Sequence, residues 1–300
     1  MRISFDEVRN NKIRSYFLIS FFIVMIGILG AVFGLYFGNV WFGVIFSVII
    51  GIIYSLIVFN SGDSMILSMS GARPVTKKEF PHLFHTIEGL SIAAGIPVPK
   101  AYVIDDTALN AFATGKNPET ASICVTTGLL KTMNRQELEG VVAHEMSHIK
   151  NYDIRFMMLT VVLVGVVTLL SDFLLRTFLW GGKGGGDNDK GGSFALIAIG
   201  IGLLFAILSP IIGELIKLAI SRKREFMADA EAVTLTRYPA GLAGALKKIS
   251  KDPDPLVDKA NKATAHLFIS TPFRADKGFV ANLFSTHPPI KERIKRIEDM

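Results

Sequence analysis

Asn134-Arg135-Gln136-Glu137-Leu138-Glu139-Gly140-Val141-Val142-Ala143-His144-Glu145-Met146-Ser147-His148 is the stretch on which the reading of this 300-residue chain turns. Asn134 can cap a helix, and Glu137, three residues on, completes a capping-box-like start. Leu138, Val141, Val142 and Met146 supply an apolar helical face. On such a helix His144 and His148 stand one turn apart on the same side, where two imidazoles can share one zinc ion at about 2.0–2.1 Å each. Glu145 projects beside them and can reach a zinc-bound water. His-Glu-x-x-His on a helix is the pattern of zinc metalloproteases. Six histidines in the chain would produce it by chance about 0.005 times. The bland alternative, two surface histidines on an amphipathic helix, is outweighed by that rarity and by the helical context.

A catalytic zinc takes three protein ligands and keeps a fourth position for water. The extended pattern, with a glycine and a further histidine downstream, is missing, because Asn151 and Ile154 occupy those positions. A distant residue must complete the set. The remaining histidines are His82, His85, His266 and His287, and the acidic candidate is Glu225 in Ser221-Arg222-Lys223-Arg224-Glu225-Phe226-Met227-Ala228-Asp229-Ala230. Glu225 and Asp229 share a helix face. Glu225 can bind the metal while Asp229 accepts the outer N–H of a ligand histidine and fixes its tautomer. Equally, the two can form a solvated acidic pair balanced by Arg222, Lys223 and Arg224.

Around this centre the chain is strongly apolar: half of its residues are hydrophobic, 19% are charged and the mean hydropathy is +0.43. That excludes a disordered chain, and the single cysteine, Cys124, excludes a disulfide scaffold and reads as a buried apolar residue. The apolar residues form four runs, Tyr16 to Phe37, Val40 to Phe59, Phe156 to Trp180 and Phe194 to Gly213. Each approaches the roughly 20 residues that a membrane-crossing helix needs. The third is the weakest, being broken by Asp172 and Arg176, and a buried soluble helix is its alternative. The first is too long for a signal peptide and is followed at once by a second span, so it reads as a retained anchor. Runs three and four are joined by the glycine-rich stretch 181–193, a flexible linker by composition, which lacks the Gly-Lys-Ser/Thr ending of a phosphate loop. Residues 1–15, 61–155 and 217–300 carry 29 of the 32 lysines and arginines. Positive charge stays on the cytoplasmic side, so both termini and both large polar segments are expected there. Trp41 and Trp180 fall at the opposite ends of the spans, as an interfacial belt requires. The net charge of +6 therefore reads as membrane orientation, and no basic patch interleaved with aromatics suggests nucleic acid.

The chain is similar to the HtpX family of membrane zinc metalloproteases, relatives of the CAAX prenyl proteases. Residues 109–115 (Leu-Asn-Ala-Phe-Ala-Thr-Gly), Thr127-Gly128-Leu129-Leu130, the His144 to His148 motif, Ser221 to Ala230 and Ser285-Thr286-His287-Pro288-Pro289-Ile290 carry the likeness. The resemblance implies that Glu225 is the third zinc ligand, of a gluzincin-type set with one Zn2+ per chain. It also implies a four-span inner-membrane protein with a cytoplasmic active site, a role near that site for His287, and proteolytic quality control under stress. The glycine-rich stretch at 181–193 is not a recognised family feature.

The expected architecture is an α-helical membrane protein: four transmembrane helices plus a mainly helical zincin-like protease domain with a small antiparallel β-sheet. Its segments are a transmembrane hairpin (1–60), a cytoplasmic catalytic segment (61–155), a second hairpin (156–220) and a cytoplasmic segment completing the zinc site (221–300). In the expected reaction zinc activates water, Glu145 takes its proton and delivers it to the leaving amine, and His287 helps stabilise the oxyanion, with Arg293 as a weaker partner. Ala101-Tyr102-Val103-Ile104, Ala111 to Thr114 and Ser122 to Thr126 read as strands, with a turn at Asn117-Pro118. Asn110, Ala111, Phe112, Ala113 and Thr114 form the strand expected to pair with an extended substrate backbone, an ordinary hairpin being the equal alternative. The partners are then the bilayer and peptide or membrane-protein substrates. A non-proteolytic zinc-binding membrane scaffold is the alternative, disfavoured because a structural site needs no base such as Glu145. A transporter is disfavoured because the clean spans lack midplane ionisable groups.

Overall fold

The first two apolar runs fold as long helices, α1 (Arg2–Tyr36) and α2 (Val40–Met69), in a computed structural model that describes residues 2–36, 38–163, 222–252 and 288–300. Gly38 turns the chain between them at φ +78°, and the Asn39 side chain caps α2 by accepting the Phe42 N–H. Their apolar stretches, Asp6–Ala31 and Val40–Met69, hold 26 and 30 residues. At 1.5 Å per residue both exceed the roughly 30 Å of a hydrocarbon core. The helices approach closely enough that a Cβ at Gly30 would collide with the Gly43 carbonyl, and one at Gly43 with the Gly30 carbonyl. The outer face of α2, with Trp41, Phe46, Ile49, Ile53 and Leu56, is not covered by any of the described residues. So wide an apolar surface suits lipid rather than water. Of the four expected spans, these two lie among the described residues. Runs three and four fall outside them, except for residues 156–163, which lie in the helix described over residues 153–163 (α6). Its residues Phe156, Met158, Leu159 and Val162 share a core with Leu18 and Phe22 of α1 and Val58 and Ile66 of α2.

The polar segments build a helical layer on a four-stranded sheet. β1 (Arg73–Pro74), β2 (Lys100–Ile104), β3 (Ala111–Thr114) and β4 (Ser122–Thr126) lie in the order β1-β2-β4-β3. The sheet is mixed, which corrects the antiparallel expectation: β1–β2 and β3–β4 are antiparallel, but β2 and β4 run parallel. The turn at Asn117-Pro118 specifies only the local β3–β4 hairpin. β4 then inserts between β3 and β2, a non-local pairing that turn chemistry does not encode. The side chains alternate between two cores. Ala101, Val103, Ala111, Ala113, Ile123 and Val125 face the helical layer, whereas Ile104, Phe112 and Cys124 face α1, α2 and α6. The helical layer comprises α3 (Pro81–Ala94), the short α4 (Thr127–Thr132), α5 (Arg135–Lys150), α7 (Arg222–Thr236), α8 (Pro239–Ile249) and α9 (Ile290–Glu298). One hydrophobic cluster thus draws on both polar segments, from Val75 through Ile154 and from Ala232 through Ile297.

Candidate metal centre

α5 begins with the capping box expected from its sequence. Asn134 Oδ1 accepts the Glu137 N–H at 2.9 Å, and Glu137 Oε2 accepts the Asn134 N–H at 2.8 Å. Lys248 of α8 reaches the same Glu137 oxygen at 2.6 Å, locking the start of α5 to α8. Helical spacing then brings His144 and His148 onto the face that meets α7, both buried, with their rings edge to face at 4.8 Å. α7 presents Glu225 and Asp229 one turn apart, both buried on the face toward α5.

Three donor atoms converge. The two Nε2 atoms are 3.2 Å apart, Glu225 Oε1 is 3.5 Å from His148 Nε2, and Glu225 Oε2 is 3.7 Å from His144 Nε2. For ligands at about 2.0–2.1 Å in tetrahedral geometry, neighbouring donors sit about 3.3 Å apart. The outward nitrogens are held by carboxylates: His144 Nδ1 lies 3.0 Å from Asp229 Oδ1, and His148 Nδ1 lies 2.9 Å from Asp153 Oδ2. Each carboxylate favours the Nδ1–H tautomer, which turns both Nε2 lone pairs inward. Two lone pairs and a carboxylate facing one another call for a positive charge among them. The titration of His148 expresses this. Burial opposes its charge, but the hydrogen bond to Asp153 and the charges of Glu225 and Glu145 prevail and raise its pKa to about 9. The donor set, its spacing and its outer hydrogen bonds fit a zinc ion held by His144, His148 and Glu225.

Glu145 is buried on the same helix, and burial lifts its pKa to about 7. The Ala113 backbone N–H faces the Glu145 carboxylate and partly offsets the rise. Among the described residues β3 is an edge strand of the sheet, and all four of its residues are buried. Asn110 exchanges hydrogen bonds with Thr126, donating its N–H to the hydroxyl and accepting the Thr126 N–H. In antiparallel alternation Phe112 and Thr114 then face β4, while Ala111 and Ala113 point their N–H and C=O groups away from it. The edge at Ala113 thus lies against Glu145. The Phe112 side chain enters the core shared with α1 and α2, leaving only its backbone near this edge.

Arg293 of α9 was expected to touch substrate. It is instead 1% exposed, with Nε and Nη2 gripping Asp229 Oδ2 and Oδ1 at 2.9 and 2.7 Å, and Nη1 3.5 Å from Glu225 Oε2. Its fork is engaged by the carboxylates that surround the donors. His82 and His85 lie exposed on α3, outside the buried cluster. His266 and His287 lie outside the described residues. Sequence reasoning passed over Asp153, which holds His148. Tyr152, at φ +60°, turns the chain after α5 and carries Asp153 back to the ring. A carboxylate five residues beyond the second histidine was the available signal.

Fold and site together define a metallopeptidase. Residues 77–300 match the model of "Peptidase family M48", and the chain belongs to that family, among its HtpX proteases. It is 51% identical over 242 residues to a protease HtpX homolog of Dictyoglomus thermophilum, covering 81% of this chain and 77% of that one. It is 43% identical over 299 residues to the homolog of Caldanaerobacter subterraneus, covering 100% and 98%. The crystal structure of S. mikatae Ste24p shares the fold, with a TM-score of 0.51 at 21% identity, covering 90% of this chain and 61% of that one.

Proposed function

We propose that the chain is a membrane-anchored zinc endopeptidase that hydrolyses peptide bonds in cytoplasmic regions of membrane proteins. The observation that carries this reading is the convergence of His144, His148 and Glu225 beside Glu145. Bound zinc would polarise the scissile carbonyl and acidify the attacking water. Glu145 takes a proton from that water and returns it to the leaving amine. Asp229 and Asp153 keep the ligand rings in their Nδ1–H tautomers, and Arg293 fixes Asp229. The outward groups of Ala111 and Ala113 would take strand addition by an extended substrate, which would have to displace Asn110 Oδ1 from the Ala111 N–H. His287 is the candidate for stabilising the oxyanion, and the family resemblance supports a role for it near the site.

The two long helices and the distribution of lysine and arginine support a multi-pass protein of the inner membrane with a cytoplasmic site. Proteolytic quality control under stress is the physiological role that the family resemblance suggests. The test is cleavage of an unstructured membrane-tethered peptide by zinc-loaded wild type and Glu145→Gln. Cleavage by the first alone supports the reading, and equal cleavage by both refutes it.

A further inference from the structure

The metal centre is tied directly to the first membrane helix. Asn11 of α1 is fully buried, 137 positions before His148, yet one carboxylate separates it from that ligand. Its Nδ2 donates to Asp153 Oδ1 at 2.6 Å and to the Asn151 carbonyl at 2.9 Å. Its Oδ1 accepts from Arg224 Nη1 at 3.4 Å, and the same Nη1 reaches Asp153 Oδ1 at 3.2 Å. Only this orientation of the amide matches donors to acceptors on both sides. Asp153 Oδ2 is thereby left to His148 Nδ1. Asn11 bridges three separate parts of the chain, namely α1, the turn after α5 and the start of α7.

An ordinary anchor would need none of this. A buried amide is costly unless its hydrogen bonds are met, and apolar packing alone would seat the end of α1. The neighbouring contacts supply such seating: Lys12 lies 4.4 Å from the centroid of the Tyr152 ring, and Leu18 and Phe22 of α1 share a core with Phe156 and Val162. What Asn11 adds is a fixed orientation for the Asp153 carboxylate. That orientation sets which His148 nitrogen carries the proton, and so where its Nε2 lone pair points.

We propose that Asn11 is a positioning residue of the metal centre, acting through Asp153 on His148, so that α1 is part of the zinc site and not only its anchor. The inference rests on the metal reading above. It assigns to the first membrane helix a share in metal affinity. Separating that helix from the catalytic segments would cost metal, and not merely membrane attachment.

The test uses the full chain in detergent micelles, stripped with a chelator and titrated with zinc against a chromophoric competitor. Replacing a group that orients a ligand from outside typically weakens binding by 10–100-fold. Asn11→Leu is expected near the lower end, about tenfold weaker, with a shifted visible absorption spectrum after cobalt substitution. Lys12→Met, which disturbs the same contact without reaching Asp153, is the control, and its affinity and spectrum should match wild type. If Asn11→Leu does not fold, Asn11→Ala, which leaves room for water, carries the same expectation. An Asn11 variant that folds and binds zinc within twofold of wild type, with an unchanged cobalt spectrum, overturns the proposal and leaves the metal reading standing. Wild type that takes up no zinc overturns both.

Discussion

The backbone N–H of Ala113 faces the carboxylate of Glu145 and partly offsets the rise that burial gives its pKa, so the proposed base lies against the strand edge proposed for substrate. Glu145→Gln keeps an oxygen for that N–H but cannot take a proton from water. We expect kcat/KM to fall by at least about 100-fold, while zinc content stays at one per chain, because Glu145 is not among the three donors. Metal analysis and peptide cleavage on the same sample check both halves.

Asp229 serves His144 and Arg293 at once, and its two substitutions should separate those roles. Asp229→Asn keeps the volume but weakens the hold on the His144 ring and on Arg293. Zinc affinity is expected to drop by about 10–100-fold. Asp229→Ala also strips a fully buried guanidinium of its main partner, which should cost about 3–5 kcal/mol of stability. Competitive zinc titration and thermal unfolding distinguish the two. Equal zinc affinity in Asp229→Asn and wild type would remove Asp229 from the site.

Much of this centre was legible in the sequence because α5 is a continuous helix, and helical geometry alone makes His144 and His148 neighbours. Glu225 and Asp229 were legible as a pair for the same reason. Their approach to α5 was not, since it depends on how distant helices pack. Strand positions followed from local composition, but the insertion of β4 between β2 and β3 did not. Asn11 carries no signal in the sequence and Arg293 reads there only as a partner of His287, because tertiary packing alone buries them against Asp153 and Asp229. Asp153 was hidden by Tyr152, whose left-handed backbone interrupts the helical register.

Metal-free protein should lose stability as pH rises. Burial opposes the charge on His148, but Asp153, Glu225 and Glu145 outweigh it and lift its pKa from 6.5 to about 9. Protonated His148 therefore stabilises the fold fully below about pH 6.5, and that contribution vanishes as pH rises through about 9. Glu145, raised by burial from 4.5 to about 7, acts in the same direction over its own range, because the fold resists its ionisation. Zinc takes the place of the proton, so it should raise the melting temperature more at pH 8 than at pH 6. Unfolding scans of stripped and zinc-loaded protein at both pH values check this. A stripped protein that grows more stable from pH 6 to pH 9 would contradict it.

The hairpin of α1 and α2 depends on backbone contact at Gly30 and Gly43. Gly43→Leu must push the helices apart and should destabilise the protein by about 1–3 kcal/mol. Ile49→Leu on the uncovered face should change nothing measurable. Thermal unfolding of both variants in one detergent compares them.

X-ray absorption on the zinc-loaded full-length protein tests the central claim most directly. One zinc per chain is expected, with two imidazole nitrogens and light oxygen donors at about 2.0–2.1 Å and no sulfur. Glu225→Ala should lose one oxygen donor from that shell and bind zinc far more weakly. A spectrum that Glu225→Ala leaves unchanged, or one without imidazole scattering, would contradict the assignment of His144, His148 and Glu225 as the metal's ligands.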